Sequence, residues 1–175
     1  MNRVITGIGA LFAFAIVYGL ANVMAAKDAI ESNSWNVITG TATNEFELVI
    51  HTTNNVFVVG GRIELQMELR NISSNTLAVK VQDGLMNYSF HVIGKEGNEV
   101  PLTEKGNEWL HPVRLYHQSV EILASGQTFS QLVPLEQMFA LTNEGEYTID
   151  VSRDTYDKHV SACPLTIHLM KPTSY

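Results

Sequence analysis

From Phe46 to Met170 the chain consists of short runs in which apolar and polar residues alternate. In RIELQMELR, residues 62–70, every second residue is apolar. The same alternation recurs in LAVKV (77–81), YSFHV (88–92), EYTIDVS (146–152) and PLTIHLM (164–170). Because successive side chains of a strand point to opposite faces of a sheet, each run predicts a strand with one buried and one exposed face.

Turn-forming residues separate these runs, at Gly60-Gly61, Ser73-Ser74-Asn75, Ser125-Gly126 and Asn143-Glu144-Gly145. In VIGKEGNEV (92–100), KEGN predicts a hairpin turn with residues 99–103 as the returning strand, and PLEQMFAL (134–141) predicts one helical turn. No other helix is predicted after the leader. Turns about every 8–12 residues are typical of an antiparallel sandwich. The predicted fold is an all-β, immunoglobulin-like antiparallel β-sandwich of about seven to nine strands, preceded by an N-terminal hydrophobic helix.

The N-terminus follows a different pattern, because residues 4–26 contain no charged side chain and Arg3 precedes them. A basic residue, an apolar run and a small-residue end are the parts of an export signal, but about 20 apolar residues also suffice to cross a bilayer. Residues 1–26 are therefore predicted to be a signal peptide or a transmembrane anchor. Either would make the protein exported: periplasmic, extracellular or anchored to the outer face of the cytoplasmic membrane.

The domain organisation follows from these two patterns. Residues 27–45 are polar and weakly patterned and predict a linker, residues 46–171 predict the sandwich, and residues 172–175 form a short tail. The chain has 175 residues, of which 45% are hydrophobic and 17% charged, as expected for a globular domain with its own core.

The charge argues against a nucleic-acid partner, and the cysteine content argues against an internal disulfide. The net charge is -7 and no basic cluster offsets it, so a nucleic-acid partner is not expected. The single cysteine, Cys163, cannot form an internal disulfide and is predicted to pack as a small apolar side chain.

The segment NEGEYTI (143–149) resembles the Asp-x-Gly-x-Tyr-x-Cys motif with which strand F of immunoglobulin domains begins. The resemblance implies that Gly145 permits the tight turn into the strand. It also implies that the Tyr147 hydroxyl bonds back to the chain a few residues upstream, as a tyrosine corner. Ile149 stands where immunoglobulin domains carry the cysteine, which fits a sandwich without an inter-sheet disulfide.

Further motifs are similar to those of exported bacterial immunoglobulin-like domains of unassigned function. They are G-x-I-x-L-x-x-x-L-x-N (61–71), a hairpin ending in G-x-E-V-P-L (97–102), and L-x-x-x-F-x-L-x-x-x-G-x-Y-T-I (135–149). The middle segment YSFHVIGKEGNEV (88–100) also resembles the intracellular proteinase inhibitor family, whose members are small β-sandwiches. These resemblances imply an architecture and assign no active residue.

Signatures of catalysis are missing from the sequence. It contains no G-x-S-x-G, no H-E-x-x-H, no phosphate-binding glycine-rich loop and no paired cysteines. The nearest histidine pair, His111 and His117, falls short of the three or four donors that a metal site needs. The sequence therefore predicts that the chain is not an enzyme and binds no metal or cofactor.

The best candidate for a functional surface is the segment NEWLHPVRLYH (107–117). It brings together side chains of the types enriched at interaction hot spots, together with two histidines: Trp109, His111, Arg114, Tyr116 and His117. The alternative is that Trp109 closes the end of the sandwich and the other residues decorate a loop.

The predicted function is that of an exported interaction or accessory module of the cell envelope. It would bind a protein or glycan partner through these loops or through a sheet edge, and residues 4–26 could contact a membrane. Two alternatives are a membrane-anchored structural subunit of a larger membrane complex and an envelope protease inhibitor.

Overall fold

Eleven strands and two short helices make up the described part of the chain. The structure, a computed structural model, describes residues 36–39, 43, 45–82, 84–113, 117–156 and 158–172. The strands are β1 (Asn36–Thr39), β2 (Phe46–Thr52), β3 (Val56–Val58), β4 (Glu64–Asn71), β5 (Leu77–Gln82), β6 (Tyr88–Gly94), β7 (Gln118–Leu123), β8 (Thr128–Pro134), β9 (Gly145–Thr155), β10 (Lys158–Ser161) and β11 (Leu165–Met170). The helices are α1 (Glu104–Leu110) and α2 (Leu135–Met138).

The strands form three sheets. The first has the order β1-β2-β4-β8, and the second has the order β10-β9-β11-β3 with β6 also paired to β9. The third sheet contains only β5 and β7. Neighbouring strands are antiparallel, except that β3 runs parallel to β11. The prediction of an all-β fold with antiparallel sheets is therefore confirmed.

One apolar core receives the buried faces of the two larger sheets. In β4, Leu65, Met67 and Leu69 are buried and alternate with more exposed polar residues. In β9, Ile149 and Val151 take the same inward positions. All five side chains belong to one cluster of buried residues. The alternation seen in the sequence thus reflects strands with one face on this core.

The strand count exceeds the predicted seven to nine, because two predicted regions are organised differently. Strand β1 lies inside residues 27–45, the predicted linker, and pairs with β2 from Asn36↔Thr52 to Thr39↔Val49. Strands pair through backbone groups and need no apolar alternation, so β1 could not be recognised from the polar composition of residues 27–45. At the other end, β10 lies outside the runs predicted as strands, and residues 162–164, which include a proline, separate it from β11.

The hairpin predicted at KEGN is present, although its returning strand is short. The Gly94 N–H donates to the Asn98 carbonyl at 2.9 Å, and the Val100 N–H donates to the Val92 carbonyl at 2.8 Å. Of the predicted return, residues 99–103, only Glu99 and Leu102 form single bridges. The helical turn predicted in PLEQMFAL is α2.

Helix α1 was not predicted, and it begins directly after the hairpin. The Thr103 side chain caps it by accepting the Gly106 N–H at 3.0 Å, and the His111 N–H closes it on the Asn107 carbonyl at 2.8 Å. Pro112 follows and cannot continue the helix. With seven residues, α1 is too short for an apolar period to appear in the sequence.

Gly106 lets α1 contact α2 at the backbone. A Cβ added at Gly106 would overlap the carbonyl oxygen of Met138, and the Thr103 N–H donates to the same oxygen at 2.8 Å. Since the obstacle is backbone and not a flexible side chain, only glycine fits here.

The leader predicted at residues 1–26 lies outside the described residues, as do residues 173–175 of the tail. Neither helix in the described part of the chain is long and apolar enough to cross a bilayer.

Residues Gly145, Tyr147 and Ile149 occupy the start of β9. The Tyr147 hydroxyl donates to the Asn143 carbonyl at 2.9 Å, which is the hydrogen bond of a tyrosine corner. Gly145 has φ +143°, a backbone conformation that L side chains rarely adopt. Ile149 is fully buried in the core.

Gly106→Ala is expected to lower the free energy of unfolding by about 1–3 kcal/mol, because the overlap with backbone outweighs the better helix propensity of alanine. Urea denaturation measures the loss. Gly94→Ala is the matched control, since a Cβ there would lie 3.7 Å from the Tyr147 ring, an ordinary contact. Equal effects of the two substitutions would contradict the close approach.

Tyr147→Phe is expected to lower the free energy of unfolding by about 0.5–1.5 kcal/mol, because it removes the hydrogen bond to Asn143 and keeps the buried ring. The same denaturation measurement on Tyr156→Phe serves as control, since Tyr156 is exposed. If Tyr147→Phe unfolds at the same urea concentration as the unchanged chain, the corner does not stabilise the fold.

Candidate functional site

Trp109, the central residue of the predicted surface, lies in the last turn of α1 and is half-buried against the core. Its carbonyl accepts the Leu85 N–H at 3.2 Å. The Lys105 Nζ lies 4.9 Å from the centroid of its ring and covers it further. In this position Trp109 packs α1 onto the sandwich and offers little free ring surface to a ligand.

Of the other predicted binding residues, the structure describes His111 and His117. His111 is exposed, and its Nδ1 lies 3.2 Å from the Asn107 Oδ1. His117 is exposed immediately before β7. Arg114 and Tyr116 lie outside the described residues. The described residues of the predicted set thus combine one packing side chain with two exposed imidazoles.

Strand β7 presents the most exposed strand surface in the described part of the chain. Five of its six residues are exposed, and only Leu123 is buried. Val120 and Ile122, which share a face, are 49% and 60% exposed. The strand pairs with β5 alone, so along its other edge no described strand is paired with it. An exposed edge with apolar side chains is a surface on which another strand can pair.

This exposure of β7 could not be predicted from the sequence. QSVEIL, residues 118–123, has the same alternation as the buried strands, and alternation does not reveal whether a second layer covers the apolar face. Exposure here follows from sheet topology, because β5 and β7 form their own two-stranded sheet.

Asn71 fixes one end of this small sheet. Its buried side chain donates from Nδ2 to the carbonyls of Leu123 at 2.8 Å and Asn75 at 2.7 Å. Its Oδ1 accepts the Ser73 N–H at 2.9 Å. Asn71 ends β4, so these bonds attach the β4–β5 connection and the last residue of β7 to the first large sheet.

Arg153 fixes the middle of the small sheet. It is only 2% exposed, and its Nη2 donates to the Lys80 carbonyl on β5 at 2.9 Å. Its guanidinium lies 4.5 Å from the ring centroid of Tyr88 and 5.0 Å from that of Phe129. Two aromatic faces thus offset part of the cost of burying the cation.

Tyr88 shares the buried environment of Arg153. Burial raises the pKa of the Tyr88 hydroxyl, and the positive charge of Arg153 opposes part of that rise. The hydroxyl is buried without a hydrogen-bond partner among the described residues. Arg153 lies over the face of the ring, which places its charge beside the π system.

The outer face of the second sheet carries three histidine–carboxylate pairs: His91 with Glu99 at 3.3 Å, His159 with Asp154 at 2.8 Å, and His168 with Glu146 at 3.8 Å. Beside the second pair lies a hollow of about 540 Å³ lined mainly by polar residues of β6, β9 and β10. Sequence reasoning did not single out Asp154, His159 and Ser161. Their spacing across the tight turn between β9 and β10 is the signal that could have found them.

Metal binding was not predicted, and the described residues contain no group of three or more histidine, cysteine or carboxylate side chains able to hold an ion. A second hollow, of about 290 Å³, lies between the hairpin at residues 94–101 and residues 140–147 around the tyrosine corner.

Comparisons with known proteins returned little. No protein-family model and no curated protein matches the chain. Among solved structures, the chain is similar to one described as a novel β-glucosidase from Erythrobacter marinus, with 11% identity and a TM-score of 0.39. The match covers 78% of this chain, which spans only 16% of the length of that chain.

The prediction that the chain is not an enzyme is corrected here, because a solved structure to which the chain is similar is that of a β-glucosidase. A TM-score of 0.39 is too low to carry an argument about the fold or the activity of this chain. Any catalytic chemistry of this chain depends on its own side chains and not on this similarity.

The stability of the chain is expected to fall as the pH rises above about 10, the ordinary pKa of tyrosine. Because the pKa of Tyr88 is raised by folding, the folded chain keeps a proton that the unfolded chain loses above that pH. The contribution of Tyr88 to the free energy of unfolding is therefore fully present below about pH 10 and is lost as the pH rises further. Urea midpoints at about pH 8 and about pH 11 measure the loss.

Tyr88→Phe is expected to reduce this alkaline loss, and Tyr156→Phe, at an exposed position, is expected to leave it unchanged. An equal alkaline loss in the unchanged chain and in Tyr88→Phe would contradict the role of Tyr88.

Proposed function

We propose that the chain is an exported, immunoglobulin-like interaction module of the cell envelope, and that it binds an extended segment of a protein partner along β7. The observation that carries this proposal is the exposed β7 edge, which has apolar side chains on one face and no described strand paired beyond it. Segments that bind in this way add a strand to the sheet.

The arrangement of the strands supports the immunoglobulin-like part of the proposal. Immunoglobulin domains place strands C, F and G in one sheet and A, B and E in the other. Here β6, β9 and β11 share one sheet, while β2, β4 and β8 share the other. The tyrosine corner of Tyr147 lies at the start of β9, where strand F would begin.

Strand addition also defines the chemistry of the partner. Backbone groups of the added segment would pair with the edge of β7 along which no described strand is paired, and its alternate side chains would contact Val120 and Ile122. Those side chains should therefore be apolar at every second position. Since the chain carries a net charge of -7, a neutral or basic segment suits it better than an acidic one.

The leader supports the proposed location. A chain cleaved near Ala25 would be released from the membrane, whereas one that retains residues 4–26 would hold the module at the membrane surface. In both forms β7 belongs to the unit Trp35–Tyr175, which contains all of the described residues.

The edge is tested by placing a photo-crosslinking residue at position 122 in intact cells and identifying the crosslinked chain. One partner is expected, with a crosslinking yield at least about tenfold lower when Val120 is replaced by lysine, since a charge on an edge strand opposes strand addition. The matched control places the crosslinker at position 170 and tests Met170→Lys separately, because Met170 is a similarly exposed apolar residue on β11. Equal yields at positions 122 and 170 would contradict binding at β7.

A further inference from the structure

A chain of hydrogen-bonded side chains lies on the outer face of the β9–β10 hairpin. The Asp154 Oδ1 lies 2.8 Å from the His159 Nδ1, and the His159 Nε2 lies 3.4 Å from the Ser161 Oγ. Carboxylate, imidazole and hydroxyl thus follow one another in the order that activates a serine nucleophile in many hydrolases.

The hairpin register brings these three residues together. Asp154 is directly opposite His159, and Ser161 lies two residues further on the same face. The Ala162 N–H donates to the Val151 carbonyl at 2.8 Å, which makes these two residues a hydrogen-bonded pair. Hydrogen-bonded and non-hydrogen-bonded pairs alternate along an antiparallel ladder, so Asp154 and His159 form a non-hydrogen-bonded pair. Side chains of such pairs approach each other most closely.

The inner face of the hairpin holds this arrangement in place. Arg153, Thr155 and Val160 alternate with the three outer residues and are buried. A catalytic group is positioned more accurately on strands with a packed inner face than on a free loop.

The contact with Asp154 fixes the tautomer of His159. A carboxylate accepts hydrogen bonds, so the proton of the neutral imidazole lies on Nδ1 and the lone pair on Nε2. The Ser161 Oγ lies 3.4 Å from Nε2, so in this tautomer the hydroxyl can donate to that lone pair. Asp154 acts as a positioning residue, and His159 is the base for Ser161.

A hollow of about 540 Å³ lies beside Ser161 and can receive a small substrate. Its walls combine polar side chains, among them Ser89, His91, Asp150 and Ser152, with the apolar residues Ile93, Val151 and Ala162. A small acyl group that makes both polar and apolar contacts suits these walls.

We propose that Ser161 is a nucleophile toward small activated acyl esters. As the bond from its Oγ to the carbonyl carbon forms, its proton moves to the His159 Nε2. The bond from the carbonyl carbon to the leaving oxygen then breaks, and that oxygen takes the proton from His159. Water repeats both steps on the acyl-serine, which releases a carboxylic acid and restores Ser161.

Exposure sets the expected rate. The side chains of His159 and Asp154 are 62% and 74% exposed, so water screens the pair and weakens its effect on Ser161. The base is therefore expected to accelerate acylation by about 10²-fold, the low end of what general bases contribute.

The proposal is tested on the purified full chain with two probes. A fluorophosphonate, whose phosphorus–fluoride bond breaks as the Ser161 Oγ bonds to phosphorus, is expected to leave one stable adduct on Ser161 in peptide mass spectra. 4-Nitrophenyl acetate reports the rate through release of 4-nitrophenolate. Ser161→Ala is expected to abolish the adduct, and His159→Ala is expected to slow release by about 10²-fold.

Matched variants separate this chemistry from surface reactivity. His168→Ala removes another imidazole that faces a carboxylate, and Ser130→Ala removes an exposed serine of the other large sheet; both are expected to keep the unchanged rate. Asp154→Ala is expected to slow release less than His159→Ala, and Asp154→Glu, which retains a carboxylate, to restore part of that loss.

Three results would overturn the proposal: no adduct on Ser161, equal adducts on several serines, or an unchanged rate in His159→Ala. An unchanged rate in Asp154→Ala would overturn the positioning role of Asp154. Circular dichroism of each variant shows whether it is folded. Because β7 lies in another sheet, loss of crosslinking at position 122 and loss of acylation at Ser161 are separate outcomes.

Discussion

The buried guanidinium of Arg153 is the contact on which the arrangement of the three sheets depends. Arg153 belongs to β9, donates to the Lys80 carbonyl on β5, and lies between the rings of Tyr88 on β6 and Phe129 on β8. These four strands come from all three sheets. An apolar side chain at position 153 would fill the space but leave the Lys80 carbonyl without this donor. The position of the small sheet, and hence of the exposed β7 edge, thus depends in part on this buried cation.

Burying a cation is costly, and this site offsets only part of that cost. Ring faces and a single carbonyl replace the water around the guanidinium, while its Nε has no hydrogen-bond partner among the described residues. Asn71 shares the task of holding the small sheet through neutral hydrogen bonds to the end of β7. The contacts of Arg153 and Asn71 lie at different points of the small sheet, so its position depends on both of them.

Sequence patterns predicted those parts of the fold that depend on neighbouring residues. Alternation identified β4 in the first large sheet, β6, β9 and β11 in the second and β5 in the small sheet, and Gly145 with Tyr147 identified the corner into β9. Arg153 lies on the inward face at the next interval of two after Tyr147, Ile149 and Val151, but the alternation of apolar residues did not predict a charged side chain there. The sequence could not predict which distant strands pair with each other. The exposure of β7 depends on such a pairing, because β5 and β7 form a separate two-stranded sheet. Residue type alone favoured Trp109 as a contact for a partner, and the structure packs it against the core.

Strand β9 connects the two candidate surfaces through adjacent residues. Arg153 points inward and holds β5, while Asp154 points outward and orients His159. A change in the inward residue moves both surfaces, because it alters the hairpin and the small sheet together. A change in the outward residue affects the hairpin surface and leaves the contact with Lys80 in place. An outward substitution can therefore separate acylation at Ser161 from binding at β7, which a substitution in the core cannot do.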